Sequence, residues 1–106
     1  MNRSHARPAP AEPVSSLTEV LSALGNPVRL AVVVEVATRG PLSPGEIQVG
    51  VAASTLSRHL GVLRRAGIIR QETVGLRRPC HLRRKELSAG FPGLLDCVLE
   101  LAEGSH

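Results

Sequence analysis

Start and stop signals cut this chain into short segments, and they limit its fold more than any other feature. Ser16 followed by Glu19 fits a capping box, and Gly25 closes the segment it opens. Asn26 and Pro27 form an N-cap and first-turn pair that opens a second segment, and Gly40 with Pro41 stops it. Ser43 and Pro44 repeat the start signal for a short helix over 44–49 that ends near Gly50, and Gly67 ends the next helix, over 53–66. No stretch between these marks approaches the roughly 20 apolar residues of a membrane helix; the longest apolar run is Leu30–Val34. The 106 residues suit one domain, which we place at 15–103, behind a Pro-rich arm over 1–14 without apolar periodicity.

Within the marks the patterns are mostly helical. Leu17, Val20, Leu21 and Leu24 form one stripe on the first helix. The second segment, Pro27 to Arg39, is rich in β-branched residues and reads locally as a buried strand, but its caps and length favour a central helix. Leu56, Leu60 and Leu63 make the core stripe of the helix over 53–66. Ser54, Arg58 and Arg65 point the other way, with Thr55 beside them. Residues 68–73 and 80–82 read as two strands joined by a turn at 74–78, and 85–88 as one helical turn broken by Ala89 and Gly90. Pro92 opens a last helix bearing Leu94, Leu95, Val98, Leu99 and Leu101. The expected fold is mainly α with a β-hairpin, in the order helix, helix, short helix, helix, strand, strand, helix.

Charge is concentrated. The net charge is +4, yet Arg58 to Lys85 holds nine basic residues against Glu72 alone, so this stretch carries +8 and the remainder −4. No acid occurs from Ile47 through Ile69, whereas a solvated surface helix usually interleaves both signs. Phe91 is the only aromatic, which excludes a single-strand platform that stacks bases on rings and requires an aliphatic core.

A short helix, a tight turn and a second helix whose outer face carries hydroxyls and arginines form a helix-turn-helix, with the second helix reading double-stranded DNA. The hairpin beyond it, with Arg77 and Arg78 at its tip, reads as a wing against the phosphate backbone. We assign DNA contact to Ser54, Thr55, Ser57, Arg58, His59, Arg64, Arg65, Arg77 and Arg78. His59 sits at the edge of the apolar stripe, where it suits packing and backbone positioning.

Residues Ala23–Leu30 (ALGNPVRL) and Ser54–Leu60 (STLSRHL), with Leu63, Ala66, Gly67 and Ile68, resemble the ArsR/SmtB family of bacterial winged helix-turn-helix repressors. The resemblance covers roughly 15–102. It implies a homodimer, paired through its first and last helices, that blocks transcription and releases DNA when an inducer binds. The apolar stripes agree, because a monomer this small has few elements left to cover them; the expected interface is Leu17, Val20, Leu21, Leu24, Leu95, Val98 and Leu99.

The resemblance supplies no sensor site. The metal-binding cysteines that family sensors carry on the short helix have no match in Ser43–Gln48. Asp96, Cys97, Glu100, Glu103 and His106 offer mixed ligands at helical spacing on the last helix, a weak metal set, so a transition-metal inducer stays an alternative to no cofactor. Cys80 and Cys97 are too few for a disulfide scaffold, and the second helix lacks the cysteine that family thiol sensors use. No phosphate loop, HExxH or carboxylate pair supports an enzyme. The remaining rival is an interaction module whose basic wing binds an acidic partner protein. No apolar signal segment occurs in 1–14, so the expected compartment is the cytoplasm.

Overall fold

The computed structural model describes residues 14–104. Helix α1 spans Leu17–Leu24 and α2 Pro27–Arg39; a 3-10 turn covers Pro44–Glu46; α3 spans Ala53–Arg65. Strands β1 (Ile69–Gln71) and β2 (Cys80–Leu82) form an antiparallel hairpin pairing Ile69 with Leu82, Arg70 with His81 and Gln71 with Cys80. Helices α4 (Arg84–Gly90) and α5 (Leu94–Glu103) complete the chain. This is the winged-helix order that the sequence predicts. Residues 1–13 of the expected arm over 1–14, and His106, lie outside the described residues, while Val14 packs against the core.

The caps act as read. Ser16 and Glu19 close a capping box on α1. The Asn26 side chain accepts the Val28 and Arg29 amides at 2.9 and 3.1 Å, which fixes the start of α2 and lets caps outweigh its β-branched content. Val32, Val33 and Val36 of α2 are buried at the centre of the domain. Around them pack Val20, Ala23 and Leu24 of α1, Leu56, Leu60 and Leu63 of α3, Ile68 and Ile69, Cys80, Leu87, and Leu95 and Leu99 of α5. The core is aliphatic, and Phe91 only leans on it. Leu63 is wholly buried; truncation to Ala in such a site costs about 2–5 kcal/mol.

Three local readings need correction. The expected helix over 44–49 is a single 3-10 turn. The Ser43 amide donates to Glu46 Oε1 at 2.8 Å, as the capping pattern predicts, but the Gln48 amide donates to Glu35 Oε1 of α2 at 3.0 Å. That carboxylate removes the donor an α-helix would need for its next bond, and Ile47 turns extended. The predicted break at Ala89 and Gly90 does not occur. Leu87 is buried, the Leu87 amide bonds the Arg83 carbonyl at 3.0 Å, and α4 runs through to Gly90 because the core holds it there. The last helix begins at Leu94, two residues after Pro92, since Gly93 takes a positive φ of 83°.

The hairpin is tied to the body. Leu42, just after α2, exchanges both backbone hydrogen bonds with Cys80, at 2.7 and 3.2 Å. At the far end of α3, Gly67 takes a φ of 81° and its amide reaches the Arg64 carbonyl, turning the chain into the strand. No single helix among the described residues is long and apolar enough to cross a membrane.

Candidate nucleic-acid interface

Helix α3 is held from three sides. Its buried stripe of Leu56, Leu60 and Leu63 seats it on α2. Its C-terminal carbonyls are met by the incoming chain: the Ser15 amide donates to the Ala66 carbonyl at 3.2 Å and the Ser15 hydroxyl to the Arg65 carbonyl at 3.3 Å. Arg29 of α2 donates through Nε to the Ala23 carbonyl at 2.6 Å and through Nη2 to the Ser22 carbonyl at 3.3 Å. Its Nη1 meets His59 Nδ1 of α3 at 3.2 Å. One guanidinium of α2 thus meets the last carbonyls of α1 and touches α3. Sequence reasoning gave Arg29 no role, although an arginine four residues past a glycine stop is placed to reach the orphan carbonyls behind it.

The opposite face of α3 is open. Ser54, Ser57, Arg58 and Arg65 are exposed, and Thr55, His59 and Arg64 are part-buried. Arg58 makes no hydrogen bond or ion pair among the described residues. No side chain caps the first turn, so its amides are open to an anion. This face presents hydroxyls, a free guanidinium and unsatisfied donors with no acid among them, which suits base edges and phosphates.

Arg64 is different: its Nη1 turns towards the hairpin and donates to Gln71 Oε1 at 3.4 Å, while Gln71 Nε2 donates to the Arg78 carbonyl at 3.1 Å. Between the 3-10 turn, α3 and the hairpin lies a cleft of about 520 Å³, whose lining includes Ile47, Leu56, Ser57, Arg64, Gln71 and Arg78. Arg64 and Arg78 stand near the thiol of Cys80 behind it. Burial pushes that thiol up to about 11, against the pull of these two arginines, so Cys80 is a protonated core residue at neutral pH.

The hairpin tip is a tight turn closed by Val74 and Arg77, with both mutual backbone bonds at 2.9 Å. Leu76 stands fully exposed there, and Arg77 and Arg78 are exposed beside it. Arg77 is not free. Its Nη2 donates to Glu46 Oε1 at 2.8 Å, and Arg39 Nη1 bridges Glu35 Oε1 at 2.9 Å and the Glu46 carbonyl at 3.0 Å. The Ser43 amide, and after it the Arg77 guanidinium, hold the Glu46 carboxyl below the usual carboxylate range. Elsewhere in the basic stretch Arg70 pairs with Glu72 at 3.1 Å and Arg84 lies 3.8 Å from Asp96, while Arg83 is buried. The +8 of the sequence is therefore not presented as one surface. Glu46 and Gln71, which the sequence did not single out, decide which arginines stay available.

The residues assigned to the dimer interface divide by burial. Val20, Leu24, Leu95 and Leu99 belong to this chain's own core, whereas Leu17 and Leu21 are 47% and 45% exposed and Val98 is part-buried. Leu101, absent from the expected set, is 68% exposed. Both terminal helices thus bury an inner stripe and leave leucines outside it, Leu17 and Leu21 on α1 and Leu101 on α5, while Leu94 and Val98 lean part-buried on the core. Of the weak metal set, Asp96, Cys97, Glu100 and Glu103 lie exposed along α5, and no three potential ligands converge among the described residues.

A helix-turn-helix domain model matches residues 24–72, the stretch that holds α2, the 3-10 turn, α3 and β1. No curated protein matches the sequence significantly. Among solved structures, the transcriptional repressor BigR from Xylella fastidiosa is 30% identical. The match covers 85% of this chain and 86% of that one, with a TM-score of 0.66. A protein described as an ArsR family transcriptional regulator is 27% identical over 85% of this chain and 93% of its own, with a TM-score of 0.61. An ArsR-like transcriptional regulator from Rhodococcus sp. RHA1 shares the fold at 21% identity, covering 83% and 84% of the two chains, with a TM-score of 0.65. With the cap-defined helices, the hairpin and an acid-free outer face on α3, these matches place the chain in the ArsR/SmtB family of winged helix-turn-helix transcriptional regulators.

Proposed function

We propose that this regulator is a homodimeric repressor that holds operator DNA through α3 and steadies it with the hairpin. The observation that carries the reading is the outer face of α3, where Ser54, Ser57 and Arg58, unpaired among the described residues, stand together without an acid. A helix so furnished can enter a major groove, with Arg58 in its N-terminal half, where base edges come closest. The repressor role draws support from the similarity to BigR, which is described as a repressor. Exposed Leu17 and Leu21 on α1 and Leu101 on α5 support the homodimer, since a second copy would cover them.

Two measurements test the reading. Affinity for the protein's own upstream DNA and for a random duplex, measured across a salt series, should fall steeply with salt for both and favour the upstream DNA. Absence of duplex binding at every salt would overturn it in favour of a module for an acidic partner protein. Sedimentation should show a dimer that Leu21→Asp together with Leu101→Asp separates into folded monomers. Leu99→Asp should unfold the chain outright, because that position belongs to the core. A dimer that survives the first pair of substitutions would remove α1 and α5 from the interface.

A further inference from the structure

The contact between Arg29 and His59 determines the hydrogen on the imidazole. A guanidinium has five donors and no acceptor. Its Nη1 lies 3.2 Å from His59 Nδ1, so that nitrogen must offer its lone pair, and a proton there would set donor against donor. An Nδ1 that accepts leaves the ring's N–H on Nε2. Arg29 cannot easily turn away, because two carbonyls at the end of α1 hold its other nitrogens at 2.6 and 3.3 Å. His59 Nε2 makes no hydrogen bond among the described residues, and the ring is only part-buried, next in sequence to the free Arg58.

We propose that Arg29 fixes His59 as the Nε2–H tautomer, and that His59 thereby donates an uncharged hydrogen bond to a backbone phosphate of the bound duplex. The proposal rests on the DNA-binding reading and adds a distinct role within it. Arg29 is a positioning residue: it touches no DNA, yet sets the direction of a donor on α3. The contact also links the two halves of the sequence pattern, since Arg29 lies in ALGNPVRL and His59 in STLSRHL.

The test has two arms. In the DNA-free protein, nitrogen NMR of the His59 ring should show Nδ1 unprotonated and Nε2 protonated, and Arg29→Met should shift the signals towards a mixture of tautomers. A protonated Nδ1 in the unsubstituted protein overturns the proposal. In the second arm, His59→Asn keeps a side-chain acceptor for Arg29 at the place of Nδ1 but loses the reach of Nε2. Its thermal melt should match that of the parent, while affinity for operator and random duplex falls by about 10-fold, as for a hydrogen bond to a charged group. A neutral donor displaces no counterion, so the log–log salt slope should stay as it is, whereas loss of a charged contact makes it shallower by about 1. Unchanged affinity, or a slope change of that size, overturns the phosphate contact. If the parent protein holds no duplex at all, the DNA-binding reading falls and the phosphate contact with it, while the ring spectrum decides the tautomer by itself.

Discussion

Helix α3 and the hairpin draw on the same basic stretch of sequence and present it in opposite ways. On α3 the outward guanidinium of Arg58 has no partner among the described residues, and the nearest acids in sequence lie more than ten residues away on either side. On the hairpin Arg77 is tied to Glu46 and Arg70 to Glu72, and Arg64 is drawn in from α3 by Gln71. Counting charges along a chain measures how much basicity is available in total, but the fold decides where it is free. The 3-10 turn matters most here, because it carries an acid to the hairpin tip from 31 residues away. Among the described residues Arg58 is unpaired on a rigid helix, whereas Arg70 and Arg77 are paired on the hairpin.

The largest effect expected from breaking this contrast is at Arg58. Arg58→Ala should cost about 1–3 kcal/mol on operator DNA and narrow the gap to random sequence. Equilibrium titration of both duplexes reads it, and retained preference would assign sequence reading elsewhere. The hairpin should behave differently. Arg77→Ala with Arg78→Ala should weaken both duplexes alike and make the salt slope shallower by about 1 per lost phosphate contact. Single substitutions sharpen the point: Arg78→Ala should cost more than Arg77→Ala, since Arg77 must first leave Glu46 before it can meet a phosphate.

Glu46→Gln should act in the reverse sense. With Arg77 released, affinity for any duplex rises a few-fold and the salt slope steepens by up to about 1. Unaltered binding would show that the ion pair does not restrain the tip. Its stability effect at neutral pH should be small, as for other exposed pairs. The lowered carboxyl sets the sign of the pH dependence. The folded state favours ionised Glu46, so its contribution is present above the ordinary carboxylate value and is lost as pH falls through the lower folded value. Melting curves of the parent and Glu46→Gln should therefore converge on acidification. The smallest effect concerns the cysteines: a thiol reagent at neutral pH should modify exposed Cys97 with no change in fold, and Cys80 only after unfolding.

Much of the fold was legible because its signals are local. Caps at Ser16, Asn26 and Ser43, stops at Gly25, Gly40 and Gly67, and the Leu56, Leu60 and Leu63 stripe each act within a turn or two of chain. What escaped was set at a distance. The 44–49 helix shrinks because Glu35, thirteen residues back, takes the Gln48 amide. The 85–88 turn lengthens because Leu87 finds the core. In the site, helical geometry alone was enough to give the outward set on α3. The pairing of Arg77 with Glu46 and the orientation of Arg29 needed the tertiary fold. The stripes on α1 and α5 show the same limit: periodicity says that Val20 and Leu21 are apolar, but only packing says which of them faces inward.

The junction at Arg29 has a consequence for the architecture of the operator. If two protomers meet through α1, the helix that joins them and the helix that lies in the groove share one guanidinium and cannot swing independently. The distance between the two α3 helices is then a fixed length. It should match one helical repeat of DNA, about 34 Å or 10–10.5 base pairs between half-site centres. Inserting half a repeat between the halves of a symmetric operator would turn the second half-site to the far side of the duplex, and only one protomer could engage. Arg29 would in that sense act as a ruler, and a shorter or looser side chain there would broaden the range of spacings the protein accepts.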